Sequence, residues 1–456
     1  MPPHYFADAK AAALEEVLGA REQRAMLQRR LLEEYAAPLI CFTLNIPGEY
    51  KMYPLARQAF REGCGCIDAQ LELGGMAVLH REERTPHTGC EAYYIVKGEA
   101  SAVKALLVSV EEGHPLGRLF DMDVLDVDGS ALRGADLGRE ERRCFVCDRP
   151  VWECSRNRTH SAEELALHTA RLMEEYFRRE YADTIARAAQ CALLYEVNIT
   201  PKPGLVDRAN NGSHRDMDIF TFIDSGCALG PYFRDITLRG LRFDGEAKDM
   251  LPTLRYCGQR AEARMLAVTR GVNTHKGLIF SMGLLCAAMG YLHSHGLAET
   301  PEALLGLCAQ IAGSVPGELE DGGEPVTHGR RAFARYGVTG IRGEAAAGFP
   351  SVAEHGYPVL RRLVTQGCSV NDAGVVALLH LMARVDDTNL LNRGGGEVLR
   401  RVKEEVSGIL AAGQSADRLV RAAEAMDREF ITQNLSPGGC ADLLAISLFL
   451  FFLFDR

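Results

Sequence analysis

Apolar and polar positions change rhythm along the chain, and the change divides it. From Ala9 to Tyr35 apolar residues recur at helical spacing among Glu and Arg, which predicts an amphipathic helix. Pro38 to Asn45 (PLICFTLN) is a β-branched and aromatic run, hence a strand. Tyr53 to Arg61 reads as helix, Glu91 to Val96 and Leu119 to Val127 as strands, and Ala100 to Val110 as a helix between them. Such a mixture predicts an α+β or α/β domain. From Ser161 onward the texture is rich in Ala, Leu, Glu and Arg, broken by Gly- and Pro-containing loops. Helices are expected at 161–197, 258–269, 278–292, 301–312, 372–384, 395–411, 415–433 and 440–454, with no strand pattern. The reading is a multidomain chain: an α+β (or α/β) domain over 1–178, then an all-α domain over 179–456. The seam falls in a helical stretch near Tyr176–Tyr181, with no linker and no internal repeat. The most apolar run, LLAISLFLFFLF at 443–454, is shorter than the roughly 20 residues a membrane span needs, so it reads as a buried core helix.

Composition narrows the class. The chain has 456 residues, 51 Lys+Arg against 61 Asp+Glu, and a formal net charge of −10. That excludes a disordered, collagen-like or coiled-coil chain, and it disfavours general nucleic-acid binding, which needs a basic surface. The opening MPPHYFADAK has no basic region followed by an apolar core, so the 14 cysteines are expected as reduced cytoplasmic thiols.

In the first domain the chemistry concentrates in His114-Pro-Leu-Gly-Arg-Leu-Phe-Asp-Met-Asp-Val. Asp121 and Asp123, two apart on a strand, share a face. Paired hard oxygens suit Mg²⁺ beside a substrate phosphate. Arg118 offers a phosphate fork and His114 a proton shuttle. The bland alternative is a solvated edge strand. A second cluster, Cys144-x2-Cys147-x6-Cys154-x5-His160, has the residue types of a Cys₃His zinc site, or is a group of reduced thiols beside the Arg149-Pro150 turn.

In the second domain, glycine-bearing polar segments interrupt the helices. Glu196-Val-Asn-Ile-Thr-Pro-Lys-Pro-Gly-Leu-Val-Asp207 carries the candidate contacts Asn198, Lys202, Gly204, Arg208 and His214. Arg270-Gly-Val-Asn-Thr-His-Lys-Gly277 carries Arg270, Asn273, Thr274, His275, Lys276 and Gly277. A shorter segment supplies Arg342 and Glu344. Asp386-Asp-Thr-Asn389, running on to Arg393, supplies Asp387, Asn389, Arg393, Gly394 and Gly395. Asn434-Leu-Ser-Pro-Gly-Gly-Cys-Ala-Asp442 supplies Asn434, Ser436, Gly438, Gly439 and Asp442. Each sits at a helix end, where free N–H groups and the dipole favour phosphate. Lys and Arg could neutralise a polyphosphate, and Asp387 and Asp442 could hold Mg²⁺. Capping chemistry explains any one segment alone; so many on one helical domain argue for a nucleotide-and-metal site. No GxxxxGK[ST] and no strand-GxGxxG-helix unit is present. Cys191, Cys286, Cys308 and Met282 read as core.

These motifs, EVNITPKPGLVD, RGVNTHKG, DDTNLLNRGG and NLSPGGCAD, resemble the triphosphoribosyl-dephospho-CoA synthase family over about 185–450. HPLGRLFDMDV and RRCFVCDRP…RTH, within 36–165, resemble the holo-citrate-lyase synthase (apo-citrate-lyase phosphoribosyl-dephospho-CoA transferase) family. The order resembles a natural fusion of the two. The resemblance implies that the 2′-hydroxyl of 3′-dephospho-CoA attacks C1′ of ATP, releasing adenine and forming 2′-(5″-triphosphoribosyl)-3′-dephospho-CoA. A serine of the citrate lyase acyl carrier subunit then attacks the α-phosphorus and pyrophosphate leaves. Glu196, Asp207 and Asp387, in that order, are the candidate carboxylates for the first step. His114, Arg118, Asp121 and Asp123 are those for the second. Arg139, Arg142, Arg143, Arg156 and Arg158 form a candidate carrier-docking patch. Service to malonate decarboxylase, or a degenerate nucleotide-binding assembly protein, are the competing readings; the N-terminal motifs and the retained charged residues speak against them.

Overall fold

The computed structural model describes residues 4–132, 143–319, 333–413 and 415–456. The chain divides into two compact units, 1–178 and 179–456.

The first unit is an antiparallel sheet between helices. Strands β1 (Leu39–Leu44), β2 (Ala77–Arg84), β3 (Glu91–Lys97), β4 (Phe120–Leu125) and β5 (Ala131–Leu132) lie in the order β2-β3-β1-β4-β5. Every pairing is antiparallel, so the domain is α+β, not α/β. Alternation along the strands gives two apolar faces. Ile40, Phe42, Tyr94, Val96, Phe120, Met122 and Val124 pack with helices α2 (Pro54–Leu73) and α3 (Ala100–Gly113). Leu39, Cys41, Tyr93 and Ile95 face α1 (Leu14–Tyr35), through Leu27, Leu31 and Leu32. Helix α1 starts at Leu14 rather than Ala9, and α2 runs on through CGCIDAQLEL. The sequence reading missed β2 because the strand is exposed at the sheet edge and half charged, with Arg81 and Arg84 paired to Asp68, Glu83 and Glu82. Charge on an edge strand prevents further strand pairing and erases the apolar alternation.

A short helix α4 (Val151–Asn157) and a long helix α5 (Ala162–Asn198) follow. In the second unit no strand occurs among the described residues. Its core is α8 (Lys276–Ser294), apolar around its whole circumference and buried from Leu278 to Gly290 except Phe280. It is the one described helix long and apolar enough to cross a membrane, and most of it is buried in protein. Helix α6 (Ile219–Leu241) crosses it at close range: a Cβ on Gly240 would lie 2.1 Å from the Ala287 carbonyl, and one on Gly290 2.3 Å from that of Thr237. The glycines and Pro231 that permit this crossing also hid α6 from pattern reading, as did the short helices Gly340–Ala346 and Tyr357–Thr365. The C-terminal helix Gly438–Phe454 is buried from Leu443 to Phe451. Side-chain caps start several helices: Asp218, Thr300, Ser369 and Asp387 each accept from a first-turn N–H. The expected helix at 395–411 is the second part of Thr388–Ala411, which breaks at Gly395 (φ 78°).

Candidate active sites

In the second unit the separated motifs meet. A cavity of about 1160 Å³ is lined from all five segments: Glu196, Lys202 and His214; Asn273 to Gly277; Arg342 and Glu344; Asp387, Asn389 and Arg393; and Ser436, Gly438, Gly439 and Asp442. The N-terminal residues of α8 and of the helices starting at Gly340, Thr388 and Gly438 all contribute to its wall. Helix N-termini favour phosphate through their dipole and first-turn N–H groups, some of which Asp387 and Asn273 already occupy here. The volume exceeds that of the usual single-ligand pocket, roughly 300–1,000 Å³.

The charged groups of the wall are desolvated. Glu196 and Lys202 form a buried ion pair, and burial raises the Glu196 carboxyl despite that pairing. Asp387, 1% exposed, accepts from the backbone N–H of Asn389, Leu390 and Cys440 at 2.8, 3.0 and 2.8 Å. It therefore ties the start of one helix to that of another; burial raises it and the three bonds oppose the rise. The Asp442 carboxylate has no hydrogen-bond partner among the described residues. Burial, then Glu196 and Asp387, push it well above the ordinary range. It lies so close to Gly277 that a Cβ there would come within 2.4 Å of its Oδ2, which explains the glycine at that position.

His275 is buried beneath the cavity. Its Nδ1 is 2.7 Å from Ser225 Oγ, which accepts from Thr274 at 2.8 Å, while Nε2 has no partner. Desolvation, then Lys202, lowers its pKa to about 3, so the ring is neutral. His214 meets Ser436 at 3.0 Å and is lowered by burial and Arg393. Glu344 accepts from Ser351 Oγ at 2.6 Å and N at 3.2 Å, and burial raises it.

Other expected residues do not line the cavity. Asp207 is buried behind it, accepting from the N–H of Lys202, Ala209 and Asn210 at 3.0, 2.7 and 3.1 Å, and so shapes the loop that presents Lys202. Asn198 donates to the Leu194 carbonyl, and Arg208 to Thr200 and Asn371. Gly204 donates its N–H to Asp427. Asn434 caps a helix in the left-handed region and accepts from Arg393, which also holds the Ser213 carbonyl. Arg270, Gly394 and Gly395 lie off the wall as well. Sequence reading missed Asp427, Asn371 and Ser351, which brace the loops, and Arg255, Glu262 and Arg384 on the wall. None stands in a recognisable motif, so only the packing reveals them.

In the first unit the expected constellation splits. Asp121 and Asp123 do share one face of β4, on the side of Thr43 and Cys41. His114 stacks instead on Phe120, whose side chain points to the other face, with ring centroids 5.1 Å apart. There His114 Nε2 lies 3.1 Å from Tyr176 Oη and 3.5 Å from Glu62, and Tyr176 donates to Glu62 at 3.0 Å. Leu116 N–H donates to His114 Nδ1 at 3.0 Å, so Nε2 bears the ring proton. Glu62 and Tyr176 gave no sequence signal. Arg118 donates to the Arg143 carbonyl and lies over the Phe145 ring at 5.1 Å. Cys144, Cys147, Cys154 and His160 gather with all four ligand atoms within 4.8 Å of one another. Arg143, Arg156 and Arg158 are exposed near them, and Arg139 and Arg142 lie outside the described residues.

The α+β unit with exposed acidic and basic side chains and the helical unit with its motif-lined cavity each match a transferase family, which makes the chain a two-part group-transfer enzyme. Residues 182–456 match the family model for ATP:dephospho-CoA triphosphoribosyl transferase. Residues 12–176 match that for apo-citrate lyase phosphoribosyl-dephospho-CoA transferase. "Protein CitXG" of Haemophilus influenzae is 33% identical over 98% of both chains, and "Protein CitXG" of Leuconostoc mesenteroides subsp. cremoris 30% over 98% of both. The 2-(5''-triphosphoribosyl)-3'-dephosphocoenzyme-A synthase of Pectobacterium atrosepticum is 41% identical over 61% of this chain and 92% of its own. The chain belongs to the family in which these two transferases are fused. It is a bifunctional transferase of citrate lyase prosthetic-group synthesis, using ATP and 3′-dephospho-CoA and acting on the citrate lyase acyl carrier protein.

Proposed function

We propose that the helical cavity holds ATP and 3′-dephospho-CoA together, with the triphosphate along the helix N-termini at Gly277, Asn389 and Gly438. The 2′-hydroxyl oxygen bonds to C1′, the bond from C1′ to the adenine nitrogen breaks, and the hydroxyl proton leaves with adenine. Glu196 takes that proton from the hydroxyl and hands it on to the departing adenine: burial raises its basicity, and Lys202 keeps it oriented. Asp207 and Asp387 act as positioning residues through their backbone bonds. Lys276, Arg342 and Arg384 supply positive charge to the triphosphate. Asp442 feels the charges of Glu196 and Asp387, and the buried cation of this wall, Lys202, is paired to Glu196, so the three carboxylates leave an excess of negative charge that a divalent cation would neutralise. Asp442, which has no hydrogen-bond partner among the described residues, would hold Mg²⁺, and the ion would supply charge neutralisation for the triphosphate. The observation carrying this reading is the convergence of five separated segments on one cavity.

In the N-terminal domain the carrier serine oxygen bonds to the α-phosphorus and the bond to the pyrophosphate oxygen breaks. Asp121 and Asp123, side by side on β4, would hold Mg²⁺, which lowers the charge on the leaving pyrophosphate. Arg118 grips the phosphate. His114, on the opposite sheet face, packs on Phe120 with its Nε2 at Tyr176 and Glu62, and acts as a positioning residue for the start of β4. An acidic carrier docks on Arg143, Arg156 and Arg158 beside Trp152, which is 55% exposed on α4. The enzyme works in the cytoplasm, where its thiols stay reduced.

The test is a mass spectrum of apo citrate-lyase carrier incubated with the protein, ATP, Mg²⁺ and 3′-dephospho-CoA. The expected result is a gain of one phosphoribosyl-dephospho-CoA, adenine release that requires dephospho-CoA, and no change in a malonate decarboxylase carrier. Absence of both adenine release and mass gain would overturn the reading.

A further inference from the structure

We propose that Cys144, Cys147, Cys154 and His160 bind one structural Zn²⁺, and that this ion fixes the turn on which Arg118 rests. The donor set is Cys₃His, and its ligand atoms already lie within 4.8 Å of one another. A tetrahedral ion with Zn–S bonds of about 2.3 Å needs neighbouring ligands roughly 3.7 Å apart, so the longer separations must close slightly and the Cys147–Cys154 pair open slightly. The Cys147 and Cys154 sulfurs are 3.2 Å apart, well beyond a disulfide bond of about 2.05 Å.

A second observation points to a metal. His160 Nε2 is buried and has no hydrogen bond of good geometry among the described residues, its main interacting group being the Cys147 thiol, and Nδ1 is 3.3 Å from Glu164 Oε1. The carboxylate holds the ring proton on Nδ1 and leaves the Nε2 lone pair for the thiol cluster. A carboxylate behind a histidine is the usual outer partner of a zinc ligand. Without an ion, the buried ring nitrogen has only this poorly aligned thiol contact, which satisfies it weakly.

The local chain is shaped to deliver these ligands. Cys144 N–H bonds to the Arg149 carbonyl at 2.6 Å, Arg143 bridges to Pro150, and Asp148 adopts φ 58°, closing a turn around Cys144 and Cys147. Helix α4 presents Cys154. Arg158, at φ 45°, then returns the chain, with Thr159 N–H on the Cys154 carbonyl, so that His160 comes back to the cluster. Val151 and Trp152 of α4 are exposed, so this segment has little core to hold it. The same turn holds Arg118, through the Arg143 carbonyl and the Phe145 ring. This link to catalysis rests on the phosphate role proposed for Arg118; the zinc site itself does not.

The test uses the full-length protein purified without chelator. Metal analysis should find one zinc per chain in the wild type and in Cys227→Ser, an exposed thiol elsewhere, and none in Cys154→Ser or His160→Gln. Cobalt replacing zinc in the wild type should give the absorption of a tetrahedral thiolate site, which settles the ligands even if a variant folds poorly. Zinc removal should lower carrier modification from supplied triphosphoribosyl-dephospho-CoA at least tenfold and leave adenine release unchanged. No zinc and no cobalt–thiolate absorption would overturn the site. Zinc retained by Cys154→Ser would overturn these ligands. Full carrier modification after zinc loss would overturn the link to Arg118. Failure of the proposed transfer reaction itself would appear as no carrier modification by zinc-loaded wild type.

Discussion

The two domains handle related phosphorylated ligands with opposite architecture. In the helical domain the candidate groups are sunk into a wall: Lys202 is 1% exposed, Asp387 likewise, and His275 3%. In the α+β domain Arg118 and Asp123 are exposed and Asp121 half-buried on a sheet face. One domain joins two small molecules, and in the proposed reaction the cavity would enclose them and exclude water from an activated ribose centre. The other must admit a folded carrier protein, so its groups stay at a surface that the partner completes. Desolvation follows from enclosure. It raises Glu196, Asp387 and Asp442 and depresses His275, whereas Arg118 and Asp123 remain in contact with water.

The contrast breaks first at the buried ion pair. Lys202→Met strands Glu196 and should cost roughly 3–5 kcal/mol, seen in urea unfolding, with Lys202→Met/Glu196→Gln recovering most of it. Equal stability of wild type and single variant would mean the pair is not buried in solution. Asp442→Asn should slow adenine release about 10²–10³-fold. Because the native carboxyl is raised above its unfolded value, the neutral amide should keep or increase Tm at neutral pH. Unimpaired adenine release would remove Asp442 from the site. Asp121→Asn/Asp123→Asn should do the reverse, lowering carrier modification from supplied intermediate by about 10²-fold while adenine release stays normal. Loss of both activities would show that the sites cannot be separated by mutation.

Smaller effects sharpen the same comparison. Gly290→Ala places a methyl 2.3 Å from the Thr237 carbonyl and should cost about 1–3 kcal/mol, lowering Tm. His275 has a folded pKa of about 3 against 6.5 unfolded. Below 6.5 the unfolded chain takes up a proton that the folded one refuses. Stability should therefore fall with pH between 6.5 and 3, by up to about 1.4 kcal/mol per unit. His275→Gln should narrow the Tm gap between pH 7 and pH 5; an unchanged gap would show the histidine is accessible.

Much of the fold was legible where local pattern and packing agree. The apolar runs of β1 and β3 and of the helices at 301–312 and 416–433 read correctly because each buries one continuous face or stripe. Helix α6 and strand β2 did not, since close helix crossing demands glycine and an edge strand demands charge. The motif segments of the helical domain were legible as a set, but their division of labour was not. Asp207 and Asp387 carry the same side chain as Asp442, yet backbone N–H groups occupy the first two and not the third.

By itself the sequence determined the two-domain order, the class of each domain and the family. Those rest on local periodicity and on residue types at fixed spacing. The tertiary structure alone decided which carboxylates face the cavity, that His114 turns to Glu62 and Tyr176 rather than to Asp121 and Asp123, and that Arg118 leans on the cysteine turn. The reason is that desolvation and hydrogen-bond occupancy belong to neighbours brought together by folding. In the case of His114 and Tyr176 those neighbours lie 62 residues apart in the chain.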